Sequence, residues 1–147
     1  MPEGAGRTVL AFDFGLQRIG VAVGEAAIAS AHPLEPIRAA SGPGRLAAVG
    51  RLVKQWNPSQ LVVGRPLGED GAAHEMTRRA ERFARALEAR FRLPVALVDE
   101  RYSSAEAESR MRAAYGSRRA AQLARGKRLD SHAALVVLEQ YFAERGR

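Results

Sequence analysis

The chain has 147 residues, the usual length of one domain, and 46% of them are hydrophobic, so it can bury a core without disulfide or metal support. It contains no cysteine, which excludes a disulfide framework, a thiol nucleophile and every cysteine-ligated metal site. The formal net charge of +7 favours a polyanionic partner such as nucleic acid.

Three short strands are predicted at the start of the chain. The apolar run Thr8–Gly15 ends at a glycine, which is typical of a buried strand. Arg18–Gly24 predicts a second strand after a tight turn, and a third is expected near His32–Arg38. Because the connections between them are short, we expect these strands to pair as an antiparallel meander.

Helices and strands alternate through the middle of the chain. Apolar residues recur at helical spacing from Leu46 to Trp56, before a predicted stop at Asn57–Pro58. Strands are predicted at Leu61–Gly64 and Pro94–Val98. The helix between them has an apolar face formed by Met76, Ala80, Phe83, Leu87 and Phe91.

The last third of the sequence predicts two further helices. Ser103 or Ser104 can cap the first of them, soon after the strand end at Asp99–Glu100–Arg101. The segment Gly116–Lys127 is expected to be irregular, and Leu129–Phe142 is expected to form the closing helix.

This order of elements predicts an α/β fold. We expect a mixed five-stranded sheet, with three antiparallel and then two parallel strands and helices on both faces. No repeat or linker divides the chain, which predicts a single domain over residues 1–147 with loose termini at 1–7 and 143–147. The polar start does not resemble a signal peptide, and no apolar stretch approaches the ~20 residues of a membrane helix. We therefore expect a cytoplasmic protein with no membrane partner.

Asp13 interrupts a predicted apolar strand. By the period of two it shares a face with Val9 and Ala11, and burying an isolated carboxylate costs several kcal/mol unless a partner compensates its charge. Arg18 or another arginine is one possible partner. A metal cation is the other, since open sheets place their sites at strand ends.

Two other regions offer acids to the same site. Asp99 and Glu100 end a predicted strand and point to opposite faces, so only one can share the side of Asp13, and the pattern alone does not say which. Asp130 begins the last helix, where a carboxylate is often an N-cap. It nevertheless shares its helix face with three apolar residues, Ala134, Val137 and Tyr141.

Three acids from two strand ends and one helix start suit a magnesium site, because Mg²⁺ takes oxygen ligands. Two Mg²⁺ or Mn²⁺ ions roughly 4 Å apart can activate a water and stabilise the leaving oxygen of a phosphodiester. We therefore predict a metal-dependent nuclease. His132 follows Asp130 by two positions; it is expected at the surface, with a role in proton transfer as the alternative.

Positive charge is concentrated just before Asp130. The stretch from Arg110 to Arg128 holds seven cations and no acid, so it equals the whole net charge of the chain. Such a stretch can grip a phosphate backbone beside the acids. The predicted nucleic-acid contacts are Arg18, Arg65, Arg101, Arg118, Arg119, Arg125, Lys127 and Arg128.

Four segments resemble the bacterial YqgF (RuvX-type) proteins, small members of the ribonuclease H-like superfamily. They are FDFGLQRIGVAVG, LVVGRPLGEDG, VDERYSSAEA and KRLDSHAALVVLEQY, in this order, and the resemblance extends from about Val9 to Tyr141. It implies a ribonuclease H-like fold whose catalytic acids and metal ligands are Asp13, Glu100 and Asp130. It thus selects Glu100 over Asp99. Tyr102 and Arg65 depart from the family pattern, in which apolar residues are usual.

The resemblance also implies a substrate class. Such proteins are associated with maturation of the 5′ end of the 16S ribosomal RNA precursor, which is our first expectation. A Holliday junction resolvase-like endonuclease is the alternative. A non-catalytic RNA-binding protein of this fold would not need all three acids, and an actin-like ATPase, suggested by DFGLQRIG, would need two such domains.

Overall fold

The computed structural model describes residues 7–39, 41–67, 73–100 and 131–145. The strands are β1 Thr8–Asp13, β2 Ile19–Glu25, β3 Ser30–Ile37, β4 Gln60–Pro66 and β5 Val95–Glu100. The helices are α1 Gly42–Trp56, α2 Glu75–Phe91 and α3 His132–Arg145. A single 3₁₀ turn over Ala26–Ile28 joins β2 to β3. The predicted helix after Ser103 or Ser104 and the predicted irregular segment lie outside the described residues.

The strands form one sheet in the order β3-β2-β1-β4-β5. β1, β2 and β3 pair antiparallel, whereas β4 and β5 run parallel to β1. The predicted mixed sheet is therefore confirmed, with the first strand of the chain at its centre. In this register Asp13 lies opposite Gly64, and Gly64 lies opposite Val98.

Both faces of the sheet are covered by helices, as predicted. Leu10 and Phe12 point to a core shared with α1 and α2, while Val9 and Ala11 point to a core shared with α3. This division follows from the alternation of side chains along a strand. None of the described helices is long and apolar enough to cross a bilayer.

Helix ends follow local capping chemistry. α1 begins after Ser41, whose Oγ accepts a hydrogen bond of 3.0 Å from the Gly44 amide, and ends at Asn57 with φ of 48°, which confirms the predicted stop. The expectation of a loose terminus from residue 143 was wrong for residues 143–145, because α3 continues to Arg145. There the Arg145 guanidinium lies over the Tyr141 ring, 5.8 Å from its centroid, and a cation is favourable at a helix C-terminus.

Candidate active site

Two acidic side chains meet on the α3 face of the sheet. Asp13 ends β1 and Glu100 ends β5, with β4 between them. Glu100 lies two residues beyond Val98, the partner of Gly64, so it projects to the same face as Asp13. Their carboxyl groups are hydrogen-bonded to each other. Two acids that are 87 positions apart in sequence therefore form one site.

Asp99 projects to the opposite face. Its carboxylate accepts a hydrogen bond of 2.9 Å from Nε of Arg65, and the same guanidinium donates to Glu81 on α2, also at 2.9 Å. The choice between Asp99 and Glu100, which the strand pattern left open, is therefore resolved in space: Glu100 is the one beside Asp13.

The Arg65 guanidinium is consequently held by ion pairs within the chain. It links β4, β5 and α2 through two carboxylates, and its side chain is only 31% exposed. The two ion pairs raise its pKa further, so its charge is permanent. Its predicted contact with nucleic acid remains a prediction, but its role in the described structure is to join three elements.

The paired acids share a proton near neutral pH. Burial raises the pKa of Asp13, whereas a dominant ion pair with Arg18 would have lowered it. Burial raises the pKa of Glu100 to about 9, and the charge and hydrogen bond of Asp13 add to that rise. Glu100 therefore holds a proton near neutral pH and donates it to the Asp13 carboxyl group.

The surroundings of Glu100 fit a divalent cation. Its Oε2 atom is buried and has no hydrogen-bond partner among the described residues, which is costly for a carboxyl oxygen. Two adjacent carboxyl groups are hard oxygen donors of the kind that Mg²⁺ and Mn²⁺ prefer. Among the described residues, no group of three histidine, cysteine or acidic side chains comes together. The predicted third ligand, Asp130, lies outside the described residues.

The residue that follows Asp130 in sequence is fixed firmly to the sheet. Ser131 is 0% exposed, and its Oγ accepts a 3.0 Å hydrogen bond from the Val21 amide. That amide lies where the pairing of β2 with β3 shifts register, between Ile19 and Val21. The Ser131 hydroxyl thus satisfies a buried amide at an irregular point of the ladder.

His132 is buried, so the expected surface position was wrong. Only 4% of it is exposed, because α3 is apolar on most of its circumference and packs across β1 and β2. The run Leu135–Leu138 is buried without interruption, which a helix with one solvated face would not show. That apolar run was the sequence signal for a buried helix start.

Arg45 is a residue of the site region that sequence reasoning missed. Its guanidinium donates to the carbonyl oxygens of Ala39 and Leu16, and it lies over the Phe14 ring at 5.4 Å. Phe14 and Leu16 belong to the turn that follows Asp13, so Arg45 ties this turn to α1. The exposed Arg18 completes the turn immediately before β2. The other predicted contacts (Arg101, Arg118, Arg119, Arg125, Lys127 and Arg128) lie outside the described residues.

Sequence comparison identifies the family. The family described as RuvX, Holliday junction resolvase, matches residues 7–144. The chain belongs to the RuvX family. A RuvX relative from Dechloromonas aromatica (strain RCB), named "Putative pre-16S rRNA nuclease", is 50% identical over 135 residues, which cover 92% of this chain and 90% of the relative.

Solved structures with little sequence similarity share the fold of this RuvX chain. The Thermus thermophilus RuvC structure superposes with a TM-score of 0.58 at 18% identity, covering 95% of this chain and 96% of that one. A Fowlpox virus resolvase, solved with substrate Holliday junction DNA, gives a TM-score of 0.62 at 10% identity and covers 95% and 99% of the two chains. These likenesses confirm the predicted ribonuclease H-like fold of this RuvX-family member.

Proposed function

We propose that this chain is a metal-dependent nuclease that hydrolyses phosphodiester bonds and matures the 5′ end of the 16S ribosomal RNA precursor. The observation that carries the proposal is the partly buried pair of Asp13 and Glu100 at two strand ends, with a buried carboxyl oxygen that no described residue satisfies. The substrate class comes from the RuvX relatives, which are named for pre-16S rRNA. Because ribosomal RNA is matured where ribosomes are assembled, we expect the protein to act in the cytoplasm.

The acids have distinct proposed roles. Asp13, on the central strand, would be the shared ligand of two Mg²⁺ or Mn²⁺ ions, while Glu100 and Asp130 would each hold one. When bound, such a pair of ions supplies an activated water and a stabilised leaving oxygen. For its part, Glu100 must release its proton before both carboxylates can act as ligands, since a protonated carboxyl is a poor donor to a cation.

The basic side chains would hold the substrate. Arg18 follows Asp13 by one turn and is exposed, so it can reach a phosphate beside the acids. The cationic stretch from Arg110 to Arg128 would supply most of the remaining charge, because each neutralised phosphate releases counterions. Arg65 contributes less to binding in this proposal, since Glu81 and Asp99 already neutralise it.

A second candidate function is cleavage of branched DNA. It is favoured by the family description as Holliday junction resolvase and by the likeness to a resolvase solved with junction DNA. The resolvase is under 25% identical to this chain, so its likeness supports the fold alone. The relatives named for pre-16S rRNA are about half identical to this chain over nearly its whole length. RNA therefore ranks first.

The deciding experiment uses one protein with two substrates. Purified wild type and Asp13→Asn are incubated with a labelled pre-16S 5′ fragment and with a four-way DNA junction, each with Mg²⁺, with Mn²⁺ or with chelator. We expect metal-dependent RNA cleavage by the wild type and a loss of about 10²- to 10³-fold in the variant, as when a group that stabilises a transition state is removed. Paired nicks in the junction without RNA cleavage would favour the resolvase. RNA binding without cleavage of either substrate would favour a non-catalytic binding protein.

A further inference from the structure

Glu100 reaches Asp13 by crossing over another strand. β4 separates β1 from β5, and strands lie about 4.8 Å apart, so two spacings separate the backbones of the two acids. Glu100 is also offset by two residues from the level of Asp13, which brings the Cα separation to roughly 10–12 Å. The Glu100 side chain must therefore extend across the surface of β4.

The residue that it crosses is Gly64. A Cβ atom placed on Gly64 would lie 3.0 Å from Oε2 of Glu100 and 2.9 Å from Cγ2 of Val137. Val137 is buried and branched at Cβ, so it has little freedom to move aside. Any side chain on Gly64 would compete with the Glu100 carboxyl for the same space.

On the other face, the neighbouring residue fixes the end of β5. Arg65 holds Asp99 by its 2.9 Å hydrogen bond, and from the α3 side Gln140 donates to the Asp99 carbonyl oxygen at 3.2 Å. The backbone that carries Glu100 is thus anchored from both sides. From there its side chain extends across Gly64 to Asp13.

We infer that Gly64 is a positioning residue for the metal-binding acids. Its missing side chain forms the channel through which Glu100 reaches Asp13, and the length of glutamate is required to cross it. This inference rests on the proposed function, because it assumes that the two acids bind a divalent cation together.

The test measures Mn²⁺ affinity by calorimetry on metal-free protein, beside thermal unfolding in chelator. Gly64→Ala is compared with Gly64→Ala/Val137→Ala, in which the Val137 contact is relieved, and with Val137→Ala alone. Gly50→Ala is the matched control, since the described atoms that a Cβ there would meet are ring atoms of Phe91, at 3.5 Å or more. We expect both Gly64 variants to bind Mn²⁺ about 10- to 100-fold more weakly, the usual effect of disturbing the surroundings of a ligand, and Gly50→Ala to bind as the wild type does.

The double variant separates positioning from packing. It should unfold at the temperature of Val137→Ala and still bind Mn²⁺ weakly; an affinity equal to that of Val137→Ala would overturn the inference. Glu100→Asp tests the required length without touching Gly64, and it should bind Mn²⁺ as weakly as Glu100→Gln. Wild-type affinity in Glu100→Asp would also overturn the inference while leaving the nuclease proposal intact. Wild-type protein that binds no Mn²⁺ and cleaves neither substrate would overturn the nuclease proposal itself.

Discussion

Asp13 and Glu100 lose much of their contact with water when the sheet forms, and the fold compensates by letting them share a proton. Two ionised carboxylates in contact would repel each other, whereas a carboxyl and a carboxylate form a charge-assisted hydrogen bond. The arrangement still leaves Oε2 of Glu100 unsatisfied. The site is therefore less stable than an apolar packing of the same volume would be, which is common where structure serves a ligand.

Stability should fall with rising pH because of Glu100. Its pKa is raised from 4.5 to about 9 in the folded state, so between these values the folded protein holds a proton that the unfolded chain has lost. The contribution is fully present below the unfolded pKa and is lost as pH rises through the folded one. In chelator, the free energy of unfolding of the wild type should decrease from pH 5 to pH 9.

Glu100→Gln isolates this effect. An amide cannot ionise, so the variant should have a flatter pH profile and should exceed the wild type at pH 9 by roughly 1–3 kcal/mol, the usual penalty of a poorly satisfied buried polar group. Urea unfolding at several pH values measures it. Glu88→Gln, at an exposed position on α2, is the control and should follow the wild type. Parallel profiles for wild type and Glu100→Gln would contradict the raised pKa.

Among the elements, α3 is joined to β2 by a buried hydroxyl just before its start. Ser131→Ala leaves the buried Val21 amide without its acceptor, so we expect a loss of about 1–3 kcal/mol in the free energy of unfolding. Ser59→Ala, at an exposed position before β4, should lie within about 0.5 kcal/mol of the wild type. Equal stability of the two variants in urea would show that the amide finds another partner.

The elements themselves were largely predictable, because each leaves a local pattern. Alternation and glycine stops indicated the strands, helical spacing indicated α1 and α2, and Asn57 marked a helix end through its left-handed backbone. The burial of His132 was not predicted, since a helix apolar on most sides has no stripe that shows which residues face inward. The final turn to Arg145 was not predicted, although Tyr141 and Arg145 stand four positions apart, a spacing at which side chains meet on a helix.

The site was only partly predictable for a related reason. Asp13 stands out because a carboxylate interrupts an apolar strand. The choice of Glu100 over Asp99 depends on which face α3 covers, and the importance of Gly64 depends on the register of three strands. The alternation of residues along one strand does not show such long-range relations, so the resemblance to a family was needed to select Glu100. The role of Asp130 as third ligand stays a prediction.

For the molecule as a whole, the net charge of +7 should make nucleic-acid binding strongly dependent on salt. If residues of the cationic stretch bind phosphates, replacing Arg118, Arg119 and Arg125 by glutamine should lower the slope of log affinity against log salt. On single-stranded RNA the slope should fall by about 0.7 for each phosphate that is no longer neutralised. The slope is measured by filter binding of the pre-16S fragment to Asp13→Asn protein, which in the proposed mechanism does not consume the substrate.

A control of equal charge change makes that result specific. Arg51 on α1 and Arg85 and Arg90 on α2 are exposed on helices that cover the face opposite Asp13 and Glu100. Replacing these three by glutamine alters the net charge equally but should leave the slope nearly unchanged. Equal reductions in both triple variants would mean that the protein binds through its overall charge and would remove the stretch from the proposed interface.

The central position of β1 has a consequence for synthesis. Asp13 leaves the ribosome before β4, the strand that pairs with its other edge, and Glu100 follows 87 positions later. At translation rates of about 5–20 residues per second, several seconds separate the appearance of the two acids. A nascent chain that ends before Glu100 lacks half of the pair. In the proposed mechanism, cleavage therefore requires that synthesis has passed Glu100.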